Sequence, residues 1–315
     1  MGGLSVATGR ALSEGGFEGV VVQTGGGVYH VSPGRDLPWV EASLRGRLKL
    51  QSREGDRIVI GDEVRVEPAA EGWAVEEALP RRNVILRRGP QVSRPKAVTA
   101  NVDQVVVVAS ATHPALDRHR IDRFLVIAAA ADVPAFIVVN KCDDPDTFPE
   151  FDGVTSLYSP LGYGVLATSA ESGNGIEALR EVLAKGISVL LGASGTGKSS
   201  LLNTLDPTLG LRTGELSRKL SRGRHTTVSA RLIDLLGAGR VADTPGFEHA
   251  GPWGVVPEEL DRCFPELDAL RNECRFRACS HLHEPGCAVR DAVKEGAIAA
   301  SRLDSYSRIR TDLVG

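Results

Sequence analysis

The sequence predicts a chain of several domains: a small antiparallel β-barrel, an α/β domain on a parallel sheet, and a mainly helical C-terminal domain held by a metal. Three observations carry this reading. Between Phe17 and about Leu86, short β-type runs are separated by Gly, Pro and Asp turn signals. From Asp103 onward, continuous β-branched runs alternate with helical patterns, as in a parallel sheet covered by helices. Near the C-terminus, Cys274, Cys279 and Cys287 crowd beside His281 and His283 in a chain with only five cysteines. With 315 residues and 42% apolar composition the chain suits two or three cores. The expected limits are a loose tail over residues 1–16, the barrel over 17–96, the α/β domain over 97–255 and the metal-binding domain over 256–315.

The tail is rich in Gly, Ser and Ala without periodicity. Barrel strands are expected at Glu18–Gln23, Gly27–Val31, Gly46–Leu50, Glu63–Val66 and Trp73–Glu76, with turns such as Ser32–Pro33–Gly34 and Glu54–Gly55–Asp56 between them. Barrels of this OB type commonly bind oligonucleotides on one face, and Arg45, Arg47 and Lys49 suit that use. Few aromatics are available for base stacking, so a barrel that serves only for docking fits the sequence equally well.

In the α/β domain, Asp103–Ser110 reads as a buried strand, Asp117–Ala131 as a helix and Ala135–Val139 as a second strand. That strand ends in Asn140–Lys141–Cys142–Asp143, an NKxD quartet at the carboxyl edge of the sheet, where ligands bind. Its chemistry selects guanine. The Asp143 carboxylate can accept from N1–H and the exocyclic amine, Asn140 holds the loop, and the Lys141 stem lies along the ring. Val165–Thr168 is a further strand whose end, Thr168–Ser169–Ala170, can buttress the base, and Gly173–Leu183 resumes a helix.

Next, Ile187–Leu202 runs strand, glycine-rich turn, helix start, with GxxxxGK[ST] spacing over Gly192, Ala193, Ser194, Gly195, Thr196, Gly197, Lys198, Ser199 and Ser200. Successive backbone N–H groups can wrap a phosphate at the positive end of the helix that begins near Lys198. Lys198 would reach the β- and γ-phosphates, and Ser199 would place its hydroxyl on Mg2+. The segment Thr208–Val228 is polar and basic and contains Gly223–Arg224–His225–Thr226–Thr227. One of its threonines, Thr226 or Thr227, would complete the magnesium shell. A strand pair, Arg231–Leu236 and Arg240–Ala242, then ends in Asp243–Thr244–Pro245–Gly246. This DxxG offers the Asp243 carboxylate to the metal side, through water, and a Gly246 N–H that can sense the γ-phosphate.

Guanine-nucleotide switches normally run phosphate loop, threonine, DxxG, NKxD, SA. Here NKxD and TSA come first, so the domain is circularly permuted, which sheet packing tolerates because it depends on strand neighbours and not on where the chain is cut. Where Ras-like switches place a water-positioning glutamine after DxxG, this chain has Phe247. His225 is the nearest polar candidate by sequence to take that catalytic role.

The spacing Cys274-x4-Cys279-x-His281-x5-Cys287 suits a tetrahedral structural zinc, with His281 and His283 both within reach. A closed site of that kind leaves no position for catalytic water. The net charge of -3 gives no global attraction to nucleic acid, so any such partner must meet a local patch. Candidate patches are Arg81, Arg82, Arg87, Arg88, Arg94 and Lys96, and then Arg212, Arg218, Lys219, Arg222 and Arg224. The most apolar run, Leu125–Val139, contains Asp132 and Pro134 and falls short of a membrane span. With no apolar signal segment at the start, a cytoplasmic protein with no membrane partner is expected.

Taken together, Asn101–Val102–Asp103–Gln104, NKCD, GASGTGKSS, GRHTT, DTPGF and the CxxxxCxHxxEPxC string resemble the ribosome small-subunit-dependent GTPase A family over nearly the whole chain after residue 16. The resemblance implies an OB domain, a circularly permuted GTPase domain and a zinc domain with His281 as the imidazole ligand. It also implies a monomeric factor that binds the 30S subunit and its rRNA late in assembly, hydrolyses GTP to GDP under stimulation by the subunit, and is then released.

Overall fold

The computed structural model describes residues 15–35, 37–46, 48, 57–87, 96–211, 230–243 and 254–314. The barrel strands are β1 (Phe17–Gly25), β2 (Val28–Ser32), β3 (Val40–Leu44), β4 (Glu63–Pro68) and β5 (Trp73–Ala78), and β1 pairs with both β2 and β4 to close them into a ring. Period-two alternation sends Phe17, Val21, Tyr29, Val31, Leu44, Val64, Val66 and Val75 inward to one core. The third strand is a correction. It is Val40–Leu44 and not Gly46–Leu50, since Gly46 and Leu48 lie in a helical turn. Both runs alternate, but Val40–Leu44 follows the turn after β2 closely enough to pair antiparallel with it while pairing parallel with β5 on its other edge. Of the basic trio, Arg45 is paired with Glu76 at 2.9 Å, and Arg47 and Lys49 lie outside the described residues.

An antiparallel pair, β6 (Val84–Arg87) and β7 (Lys96–Ala100), leads from the barrel to the central sheet. Asn101, in the left-handed region at φ 54°, sits at that junction: its Oδ1 accepts from the Arg82 N–H at 2.8 Å and its Nδ2 donates to Gly61 O at 2.9 Å. Asp103 accepts from the Ile187 N–H at 2.7 Å, and Gln104 donates to Ser188 Oγ at 2.9 Å. The Asn101–Gln104 motif therefore ties the barrel to the sheet and to the strand that feeds the phosphate loop. Arg81 and Arg82 of the first basic patch are held by Asp62 at 2.7 Å and Asp103 at 3.0 Å, so they serve the fold.

The central strands are β8 (Gln104–Ser110), β9 (Ala135–Asn140), β10 (Gly164–Ala167), β11 (Ile187–Leu191), β12 (Arg231–Asp234) and β13 (Arg240–Asp243), ordered β10-β9-β8-β11-β13-β12. All pairs are parallel except β12 with β13. Every residue of β8 is buried. Val105 and Val107 face the layer of α1 (Arg118–Ala130) and α2 (Phe148–Tyr158), and Val106 and Val108 face that of α3 (Ile176–Leu183) and α4 (Lys198–Leu205). Asp117 caps α1 by accepting from the Arg120 N–H at 3.2 Å. At the sheet's far edge Gln23 of β1 pairs with Arg231 of β12, so the barrel continues the same sheet.

The C-terminal lobe contains the one-turn helix α5 (Pro265–Asp268), α6 (Ala288–Lys294) and α7 (Ala300–Val314). Its core of Leu260, Phe264, Leu267, Val289, Tyr306 and Ile309 takes in Val126 from α1. Beneath it lies a buried ionic cluster. Arg302 of α7 pairs with Asp122 of α1 and with Glu266 of α5 at 2.6 Å, and its guanidinium stacks over Phe264 at 4.5 Å. Tyr158 of α2 donates to Asp122 at 2.6 Å. No helix among the described residues is long and apolar enough to cross a membrane.

Candidate nucleotide site and metal centre

The phosphate loop leaves β11 and enters α4 at the carboxyl edge of the sheet, where β9 delivers the NKCD quartet beside it. Gly192 and Gly197 are required by close approach. A Cβ on Gly192 would stand 2.4 Å from Val108 O, and one on Gly197, at φ 96°, would stand 2.1 Å from Asn140 Nδ2. Lys198 is buried with Nζ donating to Gly192 O at 2.7 Å and Ala193 O at 2.8 Å, so its ammonium lies across the loop's interior. Thr196 closes the turn through Oγ1 to Ala193 O at 3.0 Å. Ser199 is buried at the start of α4, Ser200 is half-buried, and Ser194 and Gly195 are exposed at the loop tip.

Asn140 joins three motifs. Its buried Nδ2 donates to Thr196 O at 2.9 Å, while its Oδ1 accepts from Thr168 Oγ1 at 3.2 Å and from the Ala170 N–H at 3.3 Å. Lys141, at φ 65°, donates from Nζ to Gly195 O at 2.7 Å and to His113 O. Ser169 donates to the exposed Asp143 carboxylate and accepts from the Ser172 N–H at 2.9 Å, which aims Asp143 along the edge of the cleft. Asp243, at the end of β13, accepts from Arg231 Nε at 3.2 Å. His225, Thr226, Thr227 and Gly246 lie outside the described residues. Sequence reasoning missed the second grip of Lys141, on His113 O in the segment before α1, because no spacing rule links positions on separate loops.

In the C-terminal lobe the ligand atoms of Cys274, Cys279, His281 and Cys287 lie within 4.8 Å of one another. Cys274 Sγ stands 3.9 Å from Cys287 Sγ and 3.6 Å from His281 Nδ1, which is 3.4 Å from Cys287 Sγ. Bonds of about 2.3 Å to sulfur and about 2.0 Å to nitrogen in a tetrahedron require edges of about 3.8 and 3.5 Å, so the donor set fits zinc. His283 is exposed and outside the cluster. Burial pushes the Cys279 thiol up to about 12 and the Cys287 thiol upward, so a dication is what would let them ionise side by side. Behind His281, Nε2 faces Asp261 Oδ2 at 3.5 Å. Burial alone would raise the Asp261 carboxyl, but His281 and the Arg271 guanidinium hold it below the ordinary carboxylate range. The ring thus stands with Nδ1 toward the cysteines and Nε2 toward a carboxylate, the arrangement in which a metal-bound imidazole is oriented from behind. Asp261 precedes the cysteine string and belongs to no ligand spacing, so the sequence offered no signal for it.

The family described as RsgA GTPase matches residues 78–253. A relative from Gemmatimonas aurantiaca, a small ribosomal subunit biogenesis GTPase RsgA, is 42% identical over 94% of this chain and 97% of its own length. One of the same name from Moorella thermoacetica is 42% identical over 95% of this chain and 98% of its own. Among solved structures, YjeQ from Thermotoga maritima superimposes with a TM-score of 0.77 at 34% identity, covering 95% of this chain and 99% of that one. YloQ, a circularly permuted GTPase, superimposes with a TM-score of 0.72 at 30% identity, covering 95% of each. With the NKCD quartet held against the phosphate loop in a permuted sheet, and with these matches over nearly its full length, the chain belongs to the RsgA GTPase family and is a GTP hydrolase.

Proposed function

We propose that this chain binds GTP with Mg2+ on the small (30S) ribosomal subunit, late in subunit assembly, hydrolyses it to GDP and phosphate under stimulation by the subunit, and then leaves. The observation that supports this best is the Asn140–Thr196 bond, which makes base recognition and the phosphate loop one rigid unit. The subunit itself is read from the names of the relatives. In this reading Asp143 accepts from guanine N1–H and the 2-amino group, with Asn140, Lys141, Ser169 and Ala170 holding the base edge. Backbone N–H groups from Gly192 to Ser200 surround the phosphates at the head of α4. Lys198 exchanges its carbonyl partners for the β- and γ-oxygens. Mg2+ held there would supply neutralisation of the charge that develops on those oxygens. Ser199, Thr226 or Thr227, and Asp243 through water would hold it, while the Gly246 N–H reads the γ-phosphate. Cys274, Cys279, His281 and Cys287 hold one structural Zn2+. The flanking domains contact rRNA, and the protein works as a cytoplasmic monomer with its domains divided at residues 17–96, 97–255 and 256–315.

His225 is proposed to position or deprotonate the attacking water once the subunit orders its segment. Turnover measured with 30S, 50S and 70S particles tests the reading: stimulation by 30S is expected, and equal rates with all three would overturn it. His225→Ala should bind GTP and 30S normally and lose about 10²–10⁴-fold of the stimulated rate. Weak 30S binding with a normal rate at saturation would make His225 an anchor.

A further inference from the structure

Between the first two cysteines of the metal cluster the chain reads Cys274–Arg275–Phe276–Arg277–Ala278–Cys279. Both ends of this short loop are ligand positions, so its tip is pinned. The Arg275 N–H donates to Gly286 O at 3.0 Å, and Gly286, at φ 69°, lets the Arg275 stem lie against it. What the loop presents is unusual for a solvated turn. Phe276 is 45% exposed, the Arg275 guanidinium lies 5.6 Å from its ring centroid, and Arg275 and Arg277 are both exposed.

The neighbouring cations are engaged within the fold. Arg271 pairs with Asp261 at 3.0 Å, Arg262 with Glu259 at 3.3 Å, and Arg290 donates to Glu284 O at 3.3 Å. Arg275 and Arg277 have no carboxylate at ion-pair distance among the described residues. Of the acids in this segment, Glu284 is taken up by the Ser280 N–H at 2.8 Å and by its hydroxyl. An exposed aromatic face between two uncommitted guanidiniums, on a loop fixed at both ends, has the parts of a single-strand nucleic-acid contact: a ring for a base and cations for the flanking phosphates.

We propose that the Arg275–Phe276–Arg277 tip binds an unpaired stretch of small-subunit rRNA, with Phe276 stacked on a base and the two arginines on the adjacent phosphates. This rests on the 30S reading above and deepens it. Because the loop is pinned by its own ligands, little ordering entropy opposes the contact.

The test uses the full chain and 30S subunits, with a non-hydrolysable GTP analogue. Phe276→Ala should weaken 30S binding at least fivefold, as loss of a base–aromatic stack does, and Phe276→Trp, which keeps a stacking face, should retain it. Arg275→Gln with Arg277→Gln should lower the slope of log affinity against log salt by about 1.4, at about 0.7 per phosphate contact to a single strand. A photoreactive phenylalanine analogue at position 276 should cross-link to rRNA. Parental affinity in both sets of variants overturns the proposal, and so does a cross-link to ribosomal protein alone. Failure of the parent chain itself to bind 30S overturns the underlying reading instead.

Discussion

At the nucleotide cleft, Asp143 is exposed, Lys141 and Asp243 are half-buried, and the loops are positioned by bonds to backbone carbonyls such as Thr196 O and Gly195 O. At the junction between the central sheet and the C-terminal lobe, Asp122, Glu266 and Arg302 are nearly sealed from water and pair with one another, with Tyr158 as a fourth member. The first arrangement holds its charged heads on backbone carbonyls, a serine hydroxyl and, at Asp243, the Arg231 guanidinium, partners that a ligand can replace. The second encloses its charges against one another, with Oδ2 of the Asp122 carboxylate left without a hydrogen-bond partner, so the contact between α1 and the lobe depends on its cation being in place.

That contrast can be broken experimentally, starting where the effect is largest. Cys279→Ala, or chelation of zinc, should unfold the C-terminal lobe while GTP affinity stays largely intact, because the cleft shares no ligand with it. Elemental analysis together with nucleotide titration reads both halves, and a metal-free parent purified without chelator would refute the zinc assignment. Next, Arg302→Met leaves Asp122 and Glu266 buried without their cation and should cost about 3–5 kcal/mol, measured by denaturant unfolding; a loss under 1 kcal/mol would mean that the cluster is wet. At the cleft, Asp143→Asn should exchange preference for GTP against XTP by about 100-fold or more, since hydrogen bonds to a charged group are worth about 1.5–3 kcal/mol each. Retained GTP preference in competition binding would remove Asp143 from base recognition. The smallest effect expected is from Tyr158→Phe, about 1.5 kcal/mol for one bond to the buried Asp122 carboxylate, with no change in nucleotide affinity.

The same contrast explains what could be read from the chain. Gly192 to Ser200, NKCD and the cysteine string are contiguous because each must wrap one ligand with one turn of backbone, so spacing alone exposes them. The strand Gln104–Ser110 was legible because a run buried on both faces must be apolar throughout. Helix α2 was not, since it opens on Phe148–Pro149 and carries Gly153 in its middle, and packing of Val154 and Tyr158, flanked by Phe151 and Leu157, onto the core holds it. The third barrel strand was misplaced by a few residues because two adjacent runs alternate equally and only pairing partners distinguish them. Asp122, Tyr158, Glu266 and Arg302 come from four separate helices, so no window of sequence contains their relation.

The seam where β1 meets β12 brings the barrel's edge to the nucleotide cleft. Among the described residues the barrel meets β12 there through the strand pair Gln23 with Arg231, backed by the Thr24 N–H on Ala230 O at 3.3 Å and by Arg35, which donates to Ala238 O at 2.8 Å. Arg231 then reaches Asp243. Arg240, buried one strand further in, stretches to Ser32 Oγ of the barrel at 3.0 Å. These bonds across the seam end at the start of β12, on β13 or on the turn between them, so the barrel is stitched to the strand pair that ends in Asp243. Arg231 is thus at once the barrel's pairing partner and the holder of the carboxylate at the end of β13, which puts one guanidinium between the barrel's edge and the nucleotide cleft.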